Sequence, residues 1–288
     1  MDAPSIPFCF GDRQWRFDGR CVVMGIVNVT PDSFSDGGQF DRPEAAVAHG
    51  LRLFAEGAVW LDVGGESTRP GAAAVPADEE IRRVVPVIRE LRRQAAGAVL
   101  SVDTTKAATA RAALAAGAHV VNDVSGLLAD PDMAGVLAES GAGCVLMHMR
   151  GTPATMRELT QYDDVAAEVR DELGRRLAAA VTRSGLSPEH FMLDPGIGFA
   201  KTAAQSLTLI GATAALRRAL GRPLLLGPSR KSFIGQVLDR PDPRQRLWGT
   251  AGAVAACVLG GADMVRVHDV REMADVVRVC TAIRLASP

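Results

Sequence analysis

Polar and ionisable residues stand directly after the short apolar runs of this sequence, where they could form one binding or catalytic site. Carboxylates and amides hydrogen-bond polar ligands, while Arg, Lys and His bind anions or move protons. An Asp or Asn after one strand often only caps the next helix. Because all eight runs end this way, a shared active site is favoured over capping alone. In chain order the residues are Asn28, Asp62 with Glu66 to Arg69, Asp103, Asn122, Asp123, His148, Asp194, Ser229, Arg230, Lys231, Arg266 and His268.

The scarcest polar residue types are concentrated at these positions. The chain has two Asn, Asn28 and Asn122, and only three of its 32 basic residues are Lys. All three (Lys106, Lys201 and Lys231) follow strand ends. A Lys ammonium is compact and titratable, and an Arg does not replace it in a site. Chance is the alternative, but the bias favours a functional use of Lys at this edge.

The elements that must position these residues are short β-branched runs alternating with longer segments of helical spacing. Near-continuous apolar strands indicate a parallel sheet covered by helices on both faces, and eight such units in about 250 residues predict a closed (β/α)8 TIM barrel. The predicted strands are 21–27, 58–63, 98–102, 119–121, 143–147, 190–193, 223–226 and 263–267. Helices are predicted, among others, over 43–56, 78–96, 105–116, 163–183 and 242–259.

A weak internal repeat supports this arrangement. Gly-Ala occurs at 57–58, 117–118 and 261–262, and a polar residue (Asp62, Asn122 or Arg266) stands five positions after each Gly. A Gly that ends a helix explains the first half of the repeat. No linker divides the chain, so we predict one barrel domain over 21–288 and a short N-terminal element over 1–20. That element is predicted to be a hairpin turning at Asp18-Gly19.

Composition excludes several classes of protein. The 288 residues are 48% hydrophobic and 23% charged with a net charge of −1, which is typical of an ordinary globular protein without a nucleic-acid or anionic-membrane partner. No run is long and apolar enough to span a membrane or to form a secretory signal. The five Cys lack CxxC spacing, so we expect reduced, mostly buried thiols and a cytoplasmic protein.

Nucleotide and metal motifs do not account for these loops. The segment 227–232 (GPSRKS) lacks the spacing of a phosphate-binding loop, and the Gly pairs at 37–38 and 64–65 do not form GxGxxG. The His residues have no metal-cluster spacing, and no Ser-His-Asp set is suggested. These motifs therefore do not identify the chemistry.

Eight longer segments do carry a family resemblance. They closely resemble dihydropteroate synthase of folate biosynthesis, and the match covers the chain from about residue 20. The family has a (β/α)8 barrel and joins 4-aminobenzoate to 6-hydroxymethyl-7,8-dihydropterin diphosphate, releasing diphosphate. The segments are MGIVNVTPDSFSDGG (24–38), DVGGESTRPG (62–71), SVDT (101–104), NDVSG (122–126), MHMRG (147–151), DPGIGF (194–199), SRKSF (229–233) and VRVHD (265–269).

The resemblance implies a role for each group of strand-end residues. The implied pterin site is Asp103, Asn122, Met147, Asp194, Gly198 and Lys231. The implied diphosphate site is Asn28, Thr68, Arg69, Arg266 and His268, with Asn28 also a ligand of Mg2+. The implied aminobenzoate site is Phe34, Thr68, Pro70, Phe199, Ser229 and Lys231. Asp103, Arg266 and His268 are the implied catalytic residues.

Two further expectations and one departure from the family pattern follow from this resemblance. The family commonly forms homodimers through late helices, so a homodimer is expected. Phe34, Thr68 and Arg69 lie in Gly- and Pro-rich segments, and we expect these loops to order only around diphosphate and Mg2+. The family usually has an Asn shortly after Lys201, and Gln205 or Ser206 stands there in this chain.

Two alternatives to an active synthase remain open at this stage. A methyltetrahydrofolate:corrinoid methyltransferase would share the pterin-binding residues but would not need the segment 67–70 or the pair Arg266 and His268. A catalytically silent, pterin-binding paralogue should have lost some of the anion-binding residues, and this chain retains them.

Overall fold

Eight parallel strands form a barrel in the computed structural model, which describes residues 5–29, 43–68 and 74–286. A separate two-stranded hairpin precedes the barrel. The strands are β1 (Ile6–Phe10), β2 (Arg13–Phe17), β3 (Val22–Asn28), β4 (Trp60–Gly64), β5 (Val99–Asp103), β6 (Val120–Asp123), β7 (Gly143–Met147), β8 (Phe191–Asp194), β9 (Leu225–Leu226) and β10 (Met264–Val267).

The barrel closes between its first and last hydrogen-bonded strands. The ladder runs β8-β7-β6-β5-β4-β3-β10-β9, so the first barrel strand β3 pairs with the last, β10, and β8 and β9 are the two ends that must meet. There, a parallel bridge pairs Leu193 with Leu224, and the Leu193 amide donates to the Pro223 carbonyl at 2.9 Å. All eight predicted strands and the predicted barrel are confirmed.

Helices cover the outside of the barrel, and the predicted ones are all present. They are α1 (Pro43–Ala55), α2 (Ala77–Gln94), α3 (Ala107–Ala115), α4 (Met133–Ser140), α5 (Val165–Ser184), α6 (Ala203–Gly211), α7 (Thr213–Leu220), α8 (Ser232–Leu238), α9 (Leu247–Leu259) and α10 (Val270–Ala286). The helix predicted to start at Asp242 starts at Leu247 instead. Asp242 caps a separate 3-10 turn, Pro243–Gln245, by accepting from the Arg244 amide.

The Gly-Ala repeat ends helices as predicted. Gly57, Gly117 and Gly261 have φ of +111°, +111° and +94°, which L side chains rarely adopt. Each Gly therefore turns the chain from a helix into the following strand.

A second local signal concerns Gln205, which forms a capping box with Thr202 at the start of α6. This helix start is therefore well capped without the family's usual Asn.

The predicted N-terminal hairpin exists, but its predicted turn at Asp18-Gly19 is wrong. Strands β1 and β2 pair antiparallel around Gly11 and Asp12, with Phe8 opposite Trp15. This register sends the alternate aromatic residues of both strands into the barrel, which decides the pairing. Asp18 instead accepts the Arg20 amide and leads the chain into β3.

Aromatic side chains of the hairpin cover the amino end of the barrel. Phe8, Phe10 and Phe17 are buried in one cluster with Trp60 and other inward-facing strand residues. A second and larger apolar cluster lies between the strands and the helices. The carboxyl end of the barrel is the end that carries the polar residues. No helix in the part of the chain that the structure describes is long and apolar enough to cross a membrane.

Candidate active site

Four side chains from four strands meet at the carboxyl end of the barrel, and we call Asp62, Asp103, Asn122 and Arg266 the carboxylate cluster. Oδ2 of Asp62 accepts from Nδ2 of Asn122 at 2.9 Å and from Nε of Arg266 at 2.7 Å. Nη2 of Arg266 donates to Oδ2 of Asp103 at 2.8 Å. The three polar residues of the internal repeat are therefore in direct contact.

The cluster holds buried oxygens that no protein group satisfies. Oδ1 of Asp62 and Oδ1 of Asp103 are buried and have no hydrogen-bond partner among the described residues. An unsatisfied buried acceptor is costly unless a ligand or water supplies the donor. Burial, together with the neighbouring Asp62, raises the pKa of Asp103 to about 7 against the opposing effect of Arg266. The cluster is thus suited to accept N–H groups from a ligand.

The loop after β8, residues 194–199, brings three more predicted residues to this end, namely Asp194, Gly198 and Phe199; we call it the Asp194 loop. Asp194 is buried, and its Oδ1 accepts the Gly196 amide at 2.7 Å. Burial raises the pKa of Asp194, while Lys231 lowers it. Lys231 donates to the Ile197 carbonyl, and its Nζ lies 4.2 Å from the centre of the Phe199 ring. Desolvation lowers the pKa of Lys231 to about 8.

An apolar floor lies beside these polar groups. Met147, at the end of β7, is buried in a small cluster with Val124, Met149, Met156 and Ala200, and Phe199 packs against it. Gly198 has a φ of +77°, and a Cβ there would lie 3.1 Å from the Lys231 side chain. Apolar surface next to a few convergent polar groups is typical of a small-molecule site.

His268, which the resemblance assigns to the diphosphate site, follows β10 and contacts Ser229 in the loop after β9. Oγ of Ser229 lies 3.0 Å from Nδ1 of His268 and accepts the His268 amide at 3.2 Å, so Ser229 orients this ring. Arg230, with a φ of +57°, pairs with Asp269. Asn28 is the last residue of β3, where it pairs with Gly64.

Comparison with known proteins identifies the family. The model for pterin-binding enzymes matches residues 24–268. The chain is 47% identical over 277 residues to dihydropteroate synthase of Synechocystis sp., covering 96% of this chain and 95% of that protein. It superposes with a TM-score of 0.90 on dihydropteroate synthase of Xanthomonas albilineans with 4-aminobenzoic acid (46% identity; 99% and 100% of the chains). For the same enzyme in complex with 7,8-dihydropteroate the TM-score is 0.86 (44% identity; 96% and 98%).

The chain belongs to the dihydropteroate synthase family. The resemblance drawn from the eight motifs is confirmed, and so is the assignment to an enzyme, a transferase. Identity to dihydropteroate synthases over nearly the whole chain also favours this family over the methyltransferase alternative.

Not every predicted site residue of this family member can be placed. Phe34, Arg69 and Pro70 lie outside the described residues. Thr68 is described and half-buried, as the last described residue before position 74. Met147, Asp194, Gly198, Phe199 and Lys231 form one group, and Ser229 with His268 forms another. Asp103, Asn122 and Arg266 form the third group, together with Asp62.

Sequence reasoning gave no role to Asp62, Lys201 and His148. Asp62 was among the strand-end residues. It holds the same position in the Gly-Ala repeat as Asn122 and Arg266, and this signal could have assigned it to the site. His148 is fully buried, and Lys201 contacts its ring. Only the position of Lys201 after β8 pointed to it, because its contacts depend on how two loops pack.

Proposed function

We propose that this dihydropteroate synthase joins 4-aminobenzoate to 6-hydroxymethyl-7,8-dihydropterin diphosphate in the pocket at the carboxyl end of the barrel. The observation that carries the proposal is the pair of unsatisfied buried oxygens, on Asp62 and Asp103, beside Asn122 and Asp194. A pterin presents several N–H donors along one edge and requires such acceptors. This edge would form hydrogen bonds with the side chains of Asp103, Asn122 and Asp194. Lys231 would donate to the pterin carbonyl or a ring nitrogen.

The flat pterin ring also needs apolar contact. Met147 and Gly198 support this part of the proposal, because Met147 is buried in the apolar floor and Gly198 leaves space where a side chain would meet Lys231. A ring bound there would lie between the carboxylate cluster and the Asp194 loop.

The reaction breaks the C–O bond between the pterin methylene and diphosphate and forms a C–N bond to the arylamine. Positive charge develops on the methylene and spreads into the ring, where Asp103 would stabilise it. Negative charge develops on the diphosphate, and Arg266 and His268 would stabilise that group. Arg266 uses Nε and Nη2 toward Asp62 and Asp103, which leaves its Nη1 hydrogens available to the diphosphate.

The arylamine needs no protein nucleophile or base, because it attacks as a neutral amine and its proton then passes to water or to the released diphosphate. Phe199, Ser229 and Lys231 would receive the aminobenzoate ring and carboxylate. Thr68 would contribute from the loop after β4, together with Phe34 and Pro70. Thr68 and Arg69 would also contact the diphosphate.

Mg2+ is the cofactor that we propose. It binds oxygen ligands and commonly combines few protein ligands with substrate phosphates and water. Among the described residues no three or more Asp, Glu, His or Cys side chains are placed to hold a metal ion together, so in this proposal the substrate and water would supply most of the ligands. The amide oxygen of Asn28, at the end of β3, would be the protein ligand. When bound, Mg2+ would neutralise charge on the leaving diphosphate.

The metal proposal has a direct test. Chelation with EDTA should abolish turnover, and added Mg2+ should restore it. Asn28→Ala should raise the Mg2+ concentration needed for half-maximal rate, whereas Asn28→Asp, which keeps an oxygen at the same place, should raise it less. An unchanged requirement in Asn28→Ala would remove this residue from the metal site.

Release of diphosphate on mixing both substrates with Mg2+ tests the reaction itself. A coupled assay for diphosphate should give a rate that depends on 4-aminobenzoate. A catalytically silent paralogue would bind the pterin and release no diphosphate.

Asp194→Ala and Asn122→Ala should each weaken pterin binding by several kcal/mol, since the ligand's donors lose buried partners. Calorimetric affinities within about threefold of wild type, roughly 0.7 kcal/mol, would contradict the assignment.

Binding should follow a fixed order, with the pterin diphosphate first and the arylamine second. The loops that carry Phe34, Thr68 and Arg69 would order around diphosphate and Mg2+ and exclude water from the reactive pterin. Arg69→Ala should therefore reduce turnover more than pterin affinity. Equal affinity of aminobenzoate for the free enzyme and for the enzyme loaded with pterin, diphosphate and Mg2+ would contradict this order.

A homodimer is the assembly that we propose, with the cytoplasm as its location. Exposed apolar residues on α9 and α10 support the dimer, namely Trp248, Leu259, Val279 and Ile283, whose relative exposures are 81%, 48%, 60% and 53%. The five free cysteines support a reducing compartment. Light scattering should give a dimer mass, and a monomer mass near 30 kDa at micromolar concentration would refute it. Cell fractionation tests the location.

A further inference from the structure

A buried lysine without a carboxylate partner lies behind the Asp194 loop. Lys201 is 8% exposed, and among the described residues no carboxylate oxygen lies within ion-pair distance of its Nζ. Its Nζ contacts three acceptors instead. These are Nδ1 of His148 at 3.0 Å, the Phe199 carbonyl at 2.9 Å and the His148 carbonyl at 3.4 Å. Burying a lysine at such a place is costly, so the contacts that it makes require an explanation.

The protonation of His148 is set from its other side. Nε2 of His148 lies 2.9 Å from Oε2 of Glu172, and this carboxylate also accepts from Arg150. An ionised carboxylate only accepts, so Nε2 carries the hydrogen. Burial, followed by the charge of Lys201, lowers the pKa of His148 to about 2, which keeps the ring neutral. Nδ1 is therefore bare and must accept from Lys201.

These contacts tie together the loops that follow β7 and β8. The His148 amide donates to the Asp194 carbonyl at 2.8 Å. The loops are so close that a Cβ on Gly196 would lie 2.0 Å from the His148 carbonyl oxygen. Lys201 contacts one backbone carbonyl on each of these two loops, that of His148 and that of Phe199.

We infer that Lys201 and His148 are a positioning pair for the pterin site, holding the Asp194 loop in its binding conformation without touching substrate themselves. The inference rests on the proposed function, because Asp194, Gly198 and Phe199 are the pterin and aminobenzoate contacts that this loop carries. Lys201 acts through the loop backbone, and His148 acts by offering Nδ1 in the tautomer that Glu172 selects.

Two substitutions of His148 separate the role of Nδ1 from the role of Nε2. His148→Asn keeps an oxygen near the place of Nδ1 and loses the contact to Glu172. His148→Gln reaches the place of Nε2 and loses the acceptor for Lys201. The positioning pair requires the Lys201 contact, so His148→Asn should bind the dihydropterin diphosphate within about threefold of wild type. His148→Gln should bind it at least tenfold more weakly.

Lys201→Met tests the other partner at nearly the same side-chain length. We expect a tenfold or larger rise in the Kd and KM for the dihydropterin diphosphate, with kcat at saturating substrate lowered less than threefold. Leu209→Ala, on the buried face of α6, is the matched control for stability. Leu209 is fully buried and away from the loop contacts, so this variant should lower Tm without raising the pterin Kd.

The outcomes distinguish the inference from the proposed function. If wild type does not bind the dihydropterin diphosphate, the proposed function fails. If wild type binds it and Lys201→Met binds it within threefold, the positioning pair is refuted. Equal affinities of the two His148 variants, or a matching loss in Leu209→Ala, would also refute it, since a merely structural role predicts both.

Discussion

Replacing Asp103 with Asn should make the protein more stable at neutral pH while it removes activity. Asp103 is 7% exposed and lies beside Asp62, and burial raises its pKa from the ordinary 3.8 to about 7. The folded state therefore binds a proton between about pH 4 and pH 7, where the unfolded chain has already lost it. By linkage, wild-type stability due to this group is lost as pH rises through that window.

The magnitude follows from the two pKa values. Each pH unit between them corresponds to about 1.4 kcal/mol, so the whole window represents about 4 kcal/mol. The amide introduced by Asp103→Asn would not titrate, and its oxygen could still accept from Arg266, which keeps Asp62 as counter-ion. The difference in free energy of unfolding between Asp103→Asn and wild type should therefore grow, in favour of the variant, by roughly 2 to 3 kcal/mol between pH 5 and pH 8.

Urea unfolding at pH 5, 6, 7 and 8, followed by circular dichroism, measures this difference. Asp12→Asn, in the exposed hairpin turn, is the control, and its difference from wild type should stay constant with pH. A constant difference for Asp103→Asn, or one that shrinks as pH rises, would show that burial does not govern this carboxylate. A diphosphate-release assay on the same sample should give no activity.

Three further predictions concern the scaffold, each measured by urea unfolding. Gly57→Ala should destabilise the protein by about 1 to 2 kcal/mol because φ is +111° there, whereas Gly211→Ala, in a helix and with open space around it, should be neutral or stabilising. Arg217→Met should cost about 3 to 5 kcal/mol by leaving the buried carboxylate of Asp263 unpaired, and pterin affinity should survive. Thr202→Ala should cost about 1 kcal/mol by removing the capping box of α6. A loss below about 0.3 kcal/mol in Gly57→Ala, Arg217→Met or Thr202→Ala would contradict the reasoning.

The barrel could be predicted because its signals are local. An apolar run identifies each strand, and a Gly that adopts positive φ fixes where a helix ends and where the next strand begins. Since three Gly-Ala pairs set the same offset, Asp62, Asn122 and Arg266 reach the same level of the barrel and touch. Periodicity in the sequence thus predicted part of the site as well as the fold.

The remaining features depend on packing between segments that are distant in sequence. The turn at Gly11 was missed because the fit of Phe8 and Phe10 under the barrel selects it. The contact of Ser229 with His268 could not be read from spacing, since 39 residues separate them. Arg266 was assigned to an anion, and its bonds to two carboxylates became visible only once the strands were side by side.

The aromatic hairpin closes the barrel at the end opposite the carboxylate cluster. Phe8, Phe10, Phe17 and Trp60 fill the amino end, so a ligand in the carboxylate cluster enters and leaves through the carboxyl mouth. The ligand that binds deepest must then arrive before the ligand that binds above it, and it cannot leave while that second ligand is bound. Under the proposed function, the pterin would leave joined to the arylamine as one molecule, whereas an arylamine that arrived early would block the way. An inhibitor that fills only the mouth would in the same way trap a pterin already bound below it.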